Sequence, residues 1–362
     1  MKSKPQIYAF HLLNDFSGSP KVLAQLLQAW QKEGFEVSIY TNNTKSGGFL
    51  SKVENVEFIN GWYNYQSNPW LRLFYYTLSQ FILFFNMFSK IKSTDIVYVN
   101  TMLPFGAGIL GKLKGCRVIY HIHETSISPN ILKWFLSKII QWSANDIVYV
   151  SKYVAENHSF ENKNTLLLYN AIDEFFFEKA KSCTKANNYS NLLMICSLKT
   201  YKGVFEFVKL AEILPEYRFK LVLNADKTSI DNFFRGTKIP INLEIYDSQS
   251  NLHPFFEWAD MILNLSLPNA WVETFGLTII EGMSYGLPSI VPTVGGIIEV
   301  IEHNKTGLAI DAREIQRVKE EVQKILGNKE LYNSMSKRAL ERIEIFREKK
   351  FIEYSLQMIK RE

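Results

Sequence analysis

The stretch VETFGLTIIEGMSYGLPSIVPTVGGIIEVIEHNKTG, residues 272–307, decides how the chain is read. Glu273 and Glu281 bracket an almost wholly apolar run, with Ile279 and Ile280 beside the second acid and Met283 just past it. The pattern predicts a helix starting near Thr274 or Phe275, with Glu273 in the loop ahead and Glu281 about two turns inside. A buried carboxylate without a partner is costly or takes up a proton, so acids placed here need a ligand or a countercharge. Free N–H groups of Phe275, Gly276 and Leu277 would face such a ligand, and Gly276 lets it approach the backbone. Carboxylates accept hydrogen bonds bidentately, which suits vicinal sugar hydroxyls. The plainer alternatives are a dipole-facing capping acid at Glu273 and, at Glu281, a buried acid paired with Lys or Arg.

Outward from this stretch, short β-branched or aromatic runs alternate with longer amphipathic ones. QIYAFHLL, VSIYT, VEFI, DIVYVN, RVIYHI and DIVYVS form one series; NLLMIC, FKLVLN, INLEIY, DMILNL and PSIVP form a second after residue 190. The rhythm is that of βαβ units, so two α/β domains with parallel sheets are expected. The polar stretch near 175–190 reads as their linker. Beyond Asp311 the chain turns helical and charged, and Phe351, Tyr354, Leu356 and Ile359 have the spacing of a terminal helix docking on another surface.

Composition narrows the class. With 362 residues, 47% hydrophobic and 14% aromatic, the chain can bury a large core, which excludes a disordered or fibrous protein. Cys116, Cys183 and Cys196 are odd in number and lack CxxC spacing, so neither disulfides nor a zinc knuckle is expected and a reducing, cytoplasmic address is. MKSKPQIYAF lacks the apolar region of a signal peptide. The net charge of +5 is uneven: residues 1–170 carry 16 basic against 10 acidic side chains, the remainder 25 against 26. The first half therefore suits anions such as acidic lipid or a phosphorylated acceptor, with a merely solubilising surface as the alternative, while nucleic acid would call for a denser basic patch.

Ligands of doubly wound sheets bind beyond the carboxyl ends of strands. Unusual polar segments fall at such ends: DFSGSP (15–20), HIHETS (121–126), SLKTYKG (197–203) and LPNAWVETFG (267–276). In SLKTYKG, Lys199 and Lys202 precede a helix expected to begin about Gly203, so ammonium groups and backbone N–H groups would converge on a diphosphate-like anion, the alternative being a solvated lysine loop. GAGILG (106–111) satisfies GxGxxG, but TMLPF separates it from the preceding strand and only KLKG from the next. Its glycines are therefore read as close-packing positions inside a helix rather than a nicotinamide site.

The 272–307 run resembles, almost position by position, the donor-binding segment of the GT-B glycosyltransferases of family 4, retaining enzymes with an E-x7-E motif. Glu273 and Glu281 have that spacing, and GLP (286–288), GG (295–296) and NKTG (304–307) follow in order. YNAIDEFFF (169–177) and YKG (201–203) extend the resemblance. It implies a GT-B fold, two Rossmann-like domains facing across a cleft: residues 1–175 for the acceptor, 176–345 for a nucleotide-sugar donor, and 346–362 as a terminal helix packing back on the first domain. It also implies that Glu281 holds ribose hydroxyls, that Glu273 with Thr274, Phe275, Gly276 and Leu277 holds the donor sugar, and that Lys202 neutralises the leaving diphosphate. His123 matches the family's histidine near the reacting carbon. His121 is read as a structural histidine, with a zinc site shared with His123 as the sharper alternative. Two positions depart from the pattern. Ser197 stands where the family usually has Arg, with Lys199 as a substitute charge, and SGS around Gly18 stands where it often has GG.

The implied reaction is retaining sugar transfer from a nucleotide diphosphate sugar, with UDP the favoured nucleotide, to a saccharide or lipid-linked acceptor, in envelope polysaccharide synthesis and without metal or other cofactor. A catalytically silent nucleotide-sugar-binding protein and an epimerase or phosphorylase on the same architecture are the alternatives. PWLRLFYYTLSQFILFFNMFSKIK (69–92), with basic flanks, and ILKWFLSKIIQW (131–142), which bears lysines along its length, are aromatic helices. They read either as interfacial helices that place the protein on the inner face of the plasma membrane or as internal packing helices.

Overall fold

A computed structural model describes residues 5–43, 47–183 and 188–361. The chain divides into two compact units, residues 1–169 with 352–362, and residues 170–351. The first holds strands β1 (Ile7–Asn14), β2 (Val37–Asn43), β3 (Glu57–Asn60), β4 (Ile96–Asn100), β5 (Arg117–Ile122), β6 (Asp146–Tyr149) and β7 (Asn164–Leu167), in the order β3-β2-β1-β4-β5-β6-β7. The second holds β8 (Asn191–Ser197), β9 (Arg218–Asn224), β10 (Leu243–Tyr246), β11 (Met261–Leu263), β12 (Ser289–Val291) and β13 (Gly307–Ala309), in the order β10-β9-β8-β11-β12-β13. All pairings within both sheets are parallel, so each unit is a doubly wound α/β layer with helices between successive strands. Strand order reverses at β1/β4 and at β8/β11; the segments 15–20, 197–203 and 267–276 follow β1, β8 and β11, while 121–126 follows β5, the strand next to β4.

Near-continuous apolar runs explain the central strands: β4 is buried along its whole length, as strands covered on both faces must be. The glycines of GAGILG lie inside the helix Phe105–Lys114. A Cβ on Gly106 would come within 2.5 Å of the Gln80 carbonyl, and one on Gly108 within 2.0 Å of the Tyr120 hydroxyl, so these positions serve close packing.

Several expectations need correction. The stretch expected as a linker begins as an α-helix, Glu174–Lys181, capped by Asp173 accepting from the Phe176 N–H; its positions 184–187 lie outside the described residues. The terminal helix is Glu348–Ile359, but Tyr354 is exposed, and the buried stripe runs through Phe351, Ser355, Met358 and Ile359. In the first unit Trp30 Nε1 donates to Ser355 Oγ, and Arg117 donates to the Ile359 carbonyl. The three cysteines are free thiols.

Candidate active site

β8 ends at Ser197 and leads through exposed Lys199 into a single 3-10 turn, Thr200–Lys202. Gly203 then adopts φ 77° and caps the helix Val204–Ile213. A Cβ there would lie 2.0 Å from the Leu265 carbonyl, so only glycine lets this loop pass against the exit from β11. The loops are joined by the Leu267 N–H donating to the Tyr201 carbonyl at 2.8 Å.

This junction directs Lys202 at Glu273. Lys202 Nζ lies 2.7 Å from Glu273 Oε1, with side chains only 15% and 13% exposed. The same oxygen accepts from Ser266 Oγ and from Asn264 Nδ2. Among the described residues Oε2 carries no hydrogen bond, so one carboxylate oxygen is held and the other is open to a hydroxyl. Lys202 Nζ also sits 5.0 Å from the Trp271 ring, which stacks on Tyr201. The backbone of Glu273 is fixed by its bridge to Gly295, where φ is 113° and a Cβ would meet the Glu273 carbonyl at 2.3 Å.

The helix that follows is Leu277–Met283, capped by Gly276. It begins later than the sequence suggests: Thr274 and Phe275 lie in the loop, and Phe275 packs on Phe346. Glu281 is therefore its fifth residue, little more than one turn in, and only 4% exposed. It lies among the charges acting on His253, which burial chiefly pushes below its ordinary pKa. His253 shares a hydrogen bond with the Tyr285 hydroxyl and stacks on Phe176.

Gly18 and His123 belong to the first unit. Gly18 opens the helix Gly18–Lys32, ahead of which Asp15 accepts from the backbone and hydroxyl of Ser17. His123 Nε2 lies 3.0 Å from Asn100 Oδ1, and Asn100 Nδ2 donates to the Ser19 carbonyl. An amide oxygen only accepts, so Nε2 carries the proton and Nδ1 is left as an acceptor. Burial holds His123 well below its usual pKa and lowers His11 to about 4 and His121 to about 3. Glu124, which accepts from the N–H groups of Met102 and His123, is raised by burial to about 7. His121 Nδ1 pairs with the Tyr98 hydroxyl, and among the described residues no group of three His, Cys, Asp or Glu side chains is arranged to hold a metal.

Sequence reasoning missed Ser266, Asn264 and Trp271 around Glu273, and Asn100 behind His123. The last had a visible signal, a polar residue closing the apolar run DIVYVN at a reversal of strand order.

Two family models match successive parts of the chain: Glycosyltransferase Family 4 over residues 16–174 and Glycosyl transferases group 1 over residues 176–342. With the two doubly wound sheets, they define the class: the chain belongs to the GT-B glycosyltransferases of family 4. It is 28% identical over 285 residues to the N-acetyl-alpha-D-glucosaminyl L-malate synthase of Bacillus anthracis, covering 72% of this chain and 73% of that one. Its fold is similar to that of Anabaena HepE, solved in complex with UDP-glucose, at a TM-score of 0.78 and 15% identity over 98% of this chain and 99% of that one. The sucrose-phosphate synthase of Thermosynechococcus elongatus is similar to the same extent, with a TM-score of 0.78 and 16% identity over 98% of both chains.

Proposed function

We propose that this glycosyltransferase moves a sugar from a nucleotide diphosphate sugar, with UDP as the nucleotide, to a hydroxyl of a saccharide or lipid-linked saccharide, with retention at the anomeric carbon. The observation that carries the reading is the Lys202–Glu273 pair at the β8/β11 reversal, an ammonium for a diphosphate beside a carboxylate with one free oxygen for sugar hydroxyls. HepE, solved with UDP-glucose, supports a nucleotide-sugar donor and the choice of UDP.

In the proposed reaction the bond from the anomeric carbon to the β-phosphate oxygen breaks, and a bond to the acceptor oxygen forms on the same face. The acceptor proton passes to the departing phosphate. Charge builds on the diphosphate, so a preorganised Lys202, assisted by Lys199, provides the main electrostatic stabilisation and does the work a divalent metal would do. Glu273 holds the sugar with the backbone from Thr274 to Leu277, Glu281 holds the ribose, and Ser197 lines the phosphates. His123 offers its neutral ring to a sugar hydroxyl. The proposed setting is envelope polysaccharide synthesis at the inner face of the plasma membrane.

The test is release of the nucleoside diphosphate from a panel of UDP-, GDP- and ADP-sugars with saccharide acceptors, followed by the anomeric coupling of the product. Turnover with one donor class, unchanged by a chelator and giving the donor's own anomeric configuration, is expected. Product of inverted configuration, or release that needs no acceptor, contradicts the reading.

A further inference from the structure

The helix Pro69–Phe88 is apolar on both of its sides. Its inward side carries Ser79 and Gln80 beside Tyr76, Leu83 and Met87. Its outward side carries Trp70, Phe74, Phe81, Phe85 and Phe88, with Trp70 80% and Phe85 70% exposed. These five positions recur at helical spacing, so they form one continuous stripe.

The stripe has neighbours in the same unit. Gln80 Oε1 accepts from the Gly106 N–H, and Tyr76 meets Phe105 at 5.8 Å, which seats the helix Phe105–Lys114 alongside. Phe105 in turn meets Phe135 at 5.3 Å, bringing up the helix Asn130–Ser143. That third helix exposes Ile131, Trp134 and Trp142, and Leu113 is exposed on the second. A contiguous apolar surface of this kind on a globular unit marks an interaction site.

Charge identifies the occupant. None of the three helices contains an Asp or Glu, whereas together they carry Arg72, Lys112, Lys114, Lys133 and Lys138. Lys114 Nζ lies 3.9 Å from the Phe88 ring, and Lys112 and Lys138 are exposed. Among the described residues no helix is long and apolar enough to cross a membrane. Exposed aromatics flanked by lysines, without a single acid, match a surface that lies in the headgroup region of an anionic bilayer.

We propose that these three helices form a monotopic docking face for an anionic lipid bilayer, with the aromatic stripe of Pro69–Phe88 inserted among the headgroups. The face deepens the acceptor reading above and rests on it for one point only: a docked first unit meets acceptors carried on lipid. The docking itself is independent of turnover.

Flotation of the full chain with phosphatidylcholine vesicles, with and without phosphatidylglycerol, tests it. Wild type should float with the anionic vesicles and be partly released by salt. Phe81→Glu with Phe85→Glu should weaken that binding at least about tenfold, and Lys112→Glu with Lys138→Glu should remove the preference for anionic lipid. Both double variants should keep the wild-type melting temperature and the wild-type response to UDP. Wild type left unbound by both vesicle types, or flotation unchanged by Phe81→Glu with Phe85→Glu, overturns the proposal. So does a dimer that this variant dissociates while vesicle binding is absent, which would make the face a contact between two copies. Loss of the UDP response in wild type, with flotation intact, would count against the donor reading and leave the docking face standing.

Discussion

Lys202 Nζ and Glu273 Oε1 lie 2.7 Å apart although 71 residues separate them in the chain. The contact closes the point where strand order reverses, and each partner is positioned by a glycine that tolerates no Cβ, Gly203 behind the lysine and Gly295 behind the glutamate. Removing one partner takes away a donor aimed at developing charge or an acceptor for sugar hydroxyls. Lys202→Ala and Glu273→Gln should each lower turnover by about 10²–10³-fold, as for a single preorganised donor. The double variant should lose far less than the product of the two, because the side chains act together. Steady-state rates of the three variants check this; independent, multiplying losses would contradict it.

Lys199 is the contrasting case. It is exposed on the same loop, and a solvated charge contributes at most about 1 kcal/mol. Lys199→Ala should therefore lower kcat/KM by no more than about fivefold, far less than Lys202→Ala. A fall in kcat as large as that of Lys202→Ala would move the phosphate contact to Lys199.

Gly203 and Gly236 offer a matched pair within one unit. Both have positive φ, 77° and 80°, but a Cβ on Gly203 meets the Leu265 carbonyl at 2.0 Å while one on Gly236 meets nothing within 4 Å. Gly236→Ala should cost only the left-handed backbone penalty, about 1–2 kcal/mol. Gly203→Ala should cost at least about twice that, because the two loops must separate. Equal melting temperatures would show that the loops are not packed as described.

The polar cluster of the first unit makes stability depend on pH. Burial raises Glu124 from 4.5 to about 7, so between those values the folded chain holds a proton that the unfolded chain has lost. Its stabilising contribution is complete below pH 4.5 and disappears as pH rises through about 7. The histidines act in the opposite direction. His11 and His121, lowered from 6.5 to about 4 and about 3, contribute above pH 6.5 and lose that contribution as pH falls through those values. Glu124→Gln isolates the carboxyl: relative to wild type its melting temperature should be higher at pH 8 than at pH 5.5. A difference that does not change with pH would contradict the buried carboxylate.

Much of this architecture was legible in the sequence. Eleven strands stood out as β-branched or aromatic runs, and the E-x7-E spacing pointed to the two acids. The strands that did not stand out, β7 and β13, are four and three residues long and sit at sheet edges, where little apolar sequence is needed. Around Glu273, the hydroxyl of Ser266 and the amide of Asn264 went unseen because their approach depends on the loop path, which Gly203 and Gly295 set through tertiary contacts. The sequence pattern puts the helix start near Thr274 or Phe275, whereas Glu273 bridges to Gly295 and the helix opens only at Leu277, behind Gly276. Hydropathy could not separate a core helix from an exposed one at 69–88; only the direction of its aromatic stripe does.

The central claim, that the second unit binds a nucleotide diphosphate sugar through Lys202, is tested most directly by melting the purified protein with UDP, GDP, ADP and their sugar conjugates, with Lys202→Ala alongside. A ligand bound only by the folded state raises the melting temperature, by about 5–10 °C at hundredfold saturation of a unit this size. The account predicts such a rise with UDP and UDP-sugars, abolished in Lys202→Ala. No rise with any nucleotide, or an equal rise in the variant, would contradict it.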